Sequence, residues 1–204
     1  KLGQSLFELK DWAGAAAALR EVLARAPKGE TEFRARLLLA RALAAQGEAA
    51  AADQEIALLK PESELYSAQG EVALAEGENL LAQGKDADAA PLLENVPPEW
   101  LKTPAVKARV ADLLGRVYYR QWKLEDANKQ LLDAKRSTTA LSDPDGTLKL
   151  QSNLRDYLAA EQGLKNARDD SAAAYFKLAQ ANALLFGFDR PRLALDLYRE
   201  VAAS

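Results

Sequence analysis

A small residue recurs along this chain at a nearly constant step, and an alanine follows each copy twelve residues later. The pairs are Gly3 with Ala15, Ala40 with Ala52, Gly77 with Ala89, and Gly115 with Ala127, with the small residues 37, 37 and 38 apart. Self-similarity at a period of roughly 20–50 residues is the mark of a solenoid. Two helices packed as a hairpin need a small residue on each where their backbones approach, and stacked hairpins repeat that need once per unit. The period therefore predicts an all-α fold, a right-handed superhelical solenoid of antiparallel helix hairpins.

The local signals divide this array. In the first unit Leu2, Leu6 and Leu9 share a helical face, and a second helix carries Ala15, Leu19, Val22 and Leu23 up to a stop at Pro27-Lys28-Gly29. The second unit is expected to start at an N-cap on Thr31, turn at Gly47 and close at Lys60-Pro61. The third starts near Ser63, turns at Gly84 and stops at Pro97-Pro98. Pro91 lies inside its second helix, which should therefore start late or bend. The fourth starts at Thr103-Pro104, an N-cap followed by proline at the first helical place. It turns around Trp122-Lys123 and ends near Ser137.

Ser142-Asp143-Pro144-Asp145-Gly146 is the clearest turn cluster. A helix over about 147–167 follows, then one capped by Asp170-Ser171 and running to Phe188, then one capped by Asp189 and running to Val201. The last two resemble another repeat, with Asn182 in the leading small place and Ala194 in the trailing one. The chain is thus expected to divide into about four hairpins over 1–137, the first truncated, a loop and extra helix over 138–170, and a degenerate hairpin over 171–204, in one continuous array. The extra helix leaves an odd number. Either it is inserted, or the loop of about nine residues before it crosses the array, since nine extended residues reach roughly 30 Å.

Composition excludes several functions. Cysteine, histidine and methionine are all absent from the 204 residues. That removes thiolate nucleophiles, disulfides, sulfur- or imidazole-based zinc sites and histidine acid–base chemistry. Without methionine, Lys1 is expected to begin a processed or trimmed segment. The net charge of −3, with both signs interspersed, lacks the clustered basic excess of a nucleic-acid binder. No run of about 18 apolar residues is present to span a membrane. Asp169-Asp170 and Asp86 with Asp88 read as helix caps and dipole partners rather than an acid pair. Neither a phosphate-binding glycine loop nor a nucleophile elbow occurs. No catalytic, cofactor-binding or metal-binding residue is expected, and no cofactor.

The units resemble tetratricopeptide repeats, which place leucine-glycine and a large residue three on in the first helix, then alanine and a large residue in the second. The copies here are Leu2-Gly3-Leu6 with Ala15 and Leu19, Leu39-Ala40-Leu43 with Ala52 and Ile56, Gly77-Leu80 with Ala89 and Leu93, and Leu114-Gly115-Tyr118 with Ala127 and Leu131. The period exceeds the family's usual length by about three residues, and Glu76 replaces leucine in the third copy. Alanine-rich, degenerate repeats of this kind look like bacterial members of the family, which favours the periplasm or cell envelope over the cytoplasm. The resemblance implies a concave groove lined by first helices and a protein or peptide partner, with further repeats possible outside this segment. It implies a non-catalytic protein–protein interaction scaffold. The alternative is a superhelical accessory domain of a larger cell-wall or polysaccharide-handling enzyme or export complex.

Charges at helical spacing mark the candidate groove face. Arg34 and Arg41, Glu71 and Glu78, and Arg109 and Arg116 are each seven apart, which places each pair on one face. The equivalent places alternate in sign from unit to unit, predicting two lateral ladders: Arg34–Glu71–Arg109 and Arg41–Glu78–Arg116. Arg120, Phe7, Tyr119 and Phe186 complete the groove candidates, the aromatics either exposed to a partner or packed on the adjacent unit. Trp12 and Trp122 are expected to cover hairpin ends, and Trp100 to tuck under a loop.

Overall fold

All four predicted hairpins form, and one turn geometry closes them all. The computed structural model describes residues 1–203. The pairs are α1 (Leu2–Glu8) with α2 (Trp12–Ala24), α3 (Glu30–Gln46) with α4 (Ala49–Leu59), α5 (Gln69–Ala82) with α6 (Asp86–Glu94), and α7 (Pro104–Arg120) with α8 (Leu124–Ala134). Lys10, Gly47, Gly84 and Trp122, at the same 37–38-residue step, take left-handed φ values of 61°, 82°, 71° and 60°. The next amide then donates back five residues in each hairpin, Asp11 to Leu6, Glu48 to Leu43, Lys85 to Leu80 and Lys123 to Tyr118, all at 2.9 Å. This closure satisfies carbonyls that the helix end leaves orphaned. Glycine adopts that conformation freely, whereas Lys10 and Trp122 pay roughly 1–2 kcal/mol for their Cβ.

The repeated small residues lie where the helices of a hairpin touch. Ala15, Ala52, Ala89 and Ala127 are each 0% exposed. A Cβ added to Gly3 or Gly77 would sit 2.8 Å from Leu19 or Leu93, and one on Gly115 would sit 2.7 Å from Leu131. The leucines one turn beyond the alanines thus fill the space that a side chain on each glycine would need. Successive units bury further leucine between them, as Leu74, Leu93 and Leu114 do in one shared core.

Several helix starts differ from expectation. Gly29, not Thr31, is the N-cap of α3. The third unit begins at Gln69, six residues after Ser63. Residues Lys60–Glu62 form a 3-10 turn instead, and the Ser63 hydroxyl donates to the Lys60 carbonyl at 2.8 Å, diverting the chain from a helix start. Helix α6 does not start late. Its start is set by the turn at Gly84–Lys85 ahead of Pro91, which falls in the second turn of a helix only nine residues long. Thr103 caps α7 as expected, accepting from the Val106 amide.

Beyond α8, no extended loop crosses the molecule. Lys135–Ala140 make 3-10 turns, and α9 (Pro144–Lys165) starts at once from its cap Asp143. It runs antiparallel to α8 and parallel to α7. Arg116 reaches Thr147 near its start, Gln151 donates to Asn128 midway in α8, and the Tyr157 ring lies 6.3 Å from Trp122. The helix therefore takes the next first-helix place. α10 (Asp170–Asn182), a π-helical turn at Ala183–Gly187, and α11 (Pro191–Ala203) continue the alternation. Asp169, one residue earlier than expected, caps α10. Asp189 does not cap α11; it takes φ 53° in the turn, and the Ala194 amide donates to the Arg190 carbonyl. α10 and α11 do form a hairpin, with Ala194 0% exposed and Asn182 accepting from the Tyr198 hydroxyl at 2.7 Å.

Candidate functional site

Parallel packing of α3, α5 and α7 brings the charged face of each beside the next, and ion pairs join them. Arg34 pairs with Glu71, and the Arg41 guanidinium forks onto Glu78 at 2.7 and 3.1 Å. Both spans are 37 residues, the repeat step, as the ladder predicts. The next rungs are different. Arg109 donates to Glu78 at 3.0 Å instead of Glu71, and Arg116 does not reach Glu78. Register has not slipped, because Gly77 still abuts Leu113, 36 residues on. Arg116 is instead claimed by Asp112 one turn back at 3.1 Å and by Thr147 of α9 at 2.9 Å, with Asp143 3.7 Å away. Arg109 then turns diagonally to the carboxylate that Arg116 leaves.

Glu78 consequently serves two arginines. Its side chain is 23% exposed, against 14% for Arg41 and 19% for Arg109. Burial pushes the Glu78 pKa up, but the two guanidiniums outweigh it and hold the carboxyl below its ordinary range. Burial lowers the Arg109 pKa; Glu78 opposes that, and the like charge of Arg41 adds to it.

An open cavity of about 330 Å³ lies on this face, between the α1–α2 turn and residues 142–143. Six of the ten candidate residues line it: Phe7, Arg41, Glu78, Arg109, Arg116 and Arg120. Phe7 meets Trp12 edge-on at 4.9 Å, and the Arg41 guanidinium covers the Phe7 ring at 4.8 Å. Arg120 is tied to the α5–α6 turn, donating to the Leu81 carbonyl at 2.9 Å and Asp86 at 3.3 Å. The opposite rim is the segment before α9, anchored by Leu141 packed among Ala108, Ala111 and Ala134.

Four candidates lie outside this cavity. Arg34 and Glu71 pair with each other, and Arg34 lines a separate hollow with Gly3 and Leu19. Tyr119 does not face the groove; its ring packs 5.6 Å from Phe188 and 6.3 Å from Trp122, against the unit that follows. Phe186 is 76% exposed but sits in the π-helical turn, at the end of a helix that runs antiparallel to α9. Trp12, Asp112 and Asp143 line the cavity without having been singled out as groove residues. The four-residue spacing of Asp112 and Arg116 was the available signal for one of them.

No protein-family model, no curated protein and no solved structure matches the chain. No helix among the described residues is long and apolar enough to cross a membrane.

Proposed function

We propose that the chain is a non-catalytic protein-interaction scaffold, built as a tetratricopeptide-like solenoid that holds a partner segment along its first-helix face. The observation that supports this reading is the cavity that α3, α5 and α7 jointly line, since no single unit could form it. Its guanidinium groups are oriented by neighbouring carboxylates, so they are held in place before any partner arrives. Site-specific photo-crosslinking in cells that express the protein natively provides the test. A crosslinker at Ala45 or Leu81, both at the cavity wall, should capture a defined protein, and one at Gln54 of α4 should not. Equal capture from both positions, or capture from Gln54 alone, would refute a groove-based scaffold.

A further inference from the structure

The cavity carries an imbalance of charge at its centre. Arg41 and Arg109 share a single carboxylate, Glu78, so the three groups sum to one positive charge. The compensating charge lies to one side of this centre: Arg116 faces both Asp112 and Asp143 toward the start of α9, a group with one negative charge in excess, and Arg120 is balanced by Asp86. Arg109 donates one hydrogen bond, from Nη2 to Glu78, whereas a guanidinium has five N–H groups. A second hollow of about 350 Å³, on the far side of Ser142, is also lined by Arg41 and Arg109 and adds Lys10 against Glu8. The guanidinium pair thus stands between two openings, reachable from either.

Apart from Ser142, the rest of the wall is apolar, with Phe7, Trp12, Ala44, Leu81 and Leu113 the main contributors. A volume near the lower end of ligand pockets, which run roughly 300–1,000 Å³, holds one or two side chains and no helix.

We propose that this cavity receives one internal glutamate or aspartate side chain, with an adjoining apolar side chain, from an extended acidic segment of a protein partner. The carboxylate seats on Arg41 and Arg109, completing their charge balance, and the apolar neighbour packs on Phe7 and Trp12. Planar guanidiniums suit such a carboxylate through paired hydrogen bonds. This rests on the scaffold reading above and adds the chemistry of the partner.

Fluorescence anisotropy on the full chain tests it, using a labelled peptide of alternating leucine and glutamate with both termini blocked, and its leucine–glutamine counterpart. The acidic peptide should bind at least about tenfold more tightly, the scale of a hydrogen bond to a charged group, and weaken as salt is raised. Arg109→Gln should abolish that preference while leaving Glu78 paired with Arg41 and the fold intact, as checked by circular dichroism. Equal binding of the two peptides, or a preference that survives Arg109→Gln, overturns the proposal. Failure of both peptides to bind overturns it too, yet leaves the scaffold reading standing if crosslinking still maps a partner to Ala45 and Leu81.

Discussion

Replacing Glu78 by glutamine keeps the shape of the side chain and removes the one charge that holds Arg41 and Arg109 together. Exposed ion pairs contribute about 0.2–1 kcal/mol, and stripping one partner from a fully buried pair costs about 3–5 kcal/mol. With side chains 14–23% exposed, the Glu78 pairs fall between these limits. Two guanidiniums would also be left facing each other. A loss of about 2 kcal/mol follows, or about 4–8 °C in Tm for a chain of this size. Glu71→Gln is the internal reference. Its partner Arg34 is 42% exposed and keeps a second carboxylate, Glu30, at 3.3 Å, so the loss should be below about 1 kcal/mol. Thermal melts followed by helical circular dichroism at low and high salt give both values. A Glu78→Gln protein that melts with the parent, or that loses less than Glu71→Gln, would show that the central triad does not join the units.

Three further outcomes follow from the packing and the titrating groups. Ala127→Leu should overpack the α7–α8 contact beside Gly115 and cost about 1–3 kcal/mol, visible as a lower urea midpoint; an unchanged midpoint would mean that the contact is not close-packed. The folded Glu78 carboxyl has a pKa below its ordinary 4.5, so the stability it contributes is complete above about pH 4.5 and is lost as pH falls through the lower folded value. The parent should therefore lose more Tm than Glu78→Gln on acidification from about pH 5 to 3, and equal losses would contradict the linkage. Burial, and then its hydrogen bond to Glu94, push the Tyr118 hydroxyl up to about 12, so ultraviolet titration should show a late-ionising component that Tyr118→Phe removes. Retention of that component in the variant would assign it elsewhere.

Much of this arrangement was legible in the residues because the repeat step carries geometry. Ala15, Ala52, Ala89 and Ala127 announce the hairpin contact, since a fixed offset between two small residues has few other physical causes. Arg34–Glu71 and Arg41–Glu78 were legible for the same reason, as like positions of stacked units face each other. The lower rungs were not, because side chains compete. Asp112, Asp143 and Thr147 together draw Arg116 away, and two of those three lie beyond the repeats in a segment with no period to place it. Tyr119 was ambiguous between groove and neighbour until Phe188, in the turn after α10, came to lie against its ring. Helix starts at Glu30 and Gln69 depend on short-range hydrogen bonds, which periodicity does not encode.

The place taken by α9 has a consequence for everything after it. In a chain that alternates up and down, one extra helix reverses the polarity of each later element, as a dropped stitch shifts every row above it. α10 has the look of a first helix but runs in the sense of a second one, and its pattern is turned inside out relative to the earlier hairpins. Tyr175, Leu178 and Phe186, 67%, 41% and 76% exposed, belong to this reversed segment and do not line the cavity that α3, α5 and α7 share. A duplication that copied the α10–α11 hairpin would add a second-sense helix before a first-sense one, whereas a copy of α7–α8 would add them in the opposite order. Parity, more than sequence likeness, decides which row each copied helix joins.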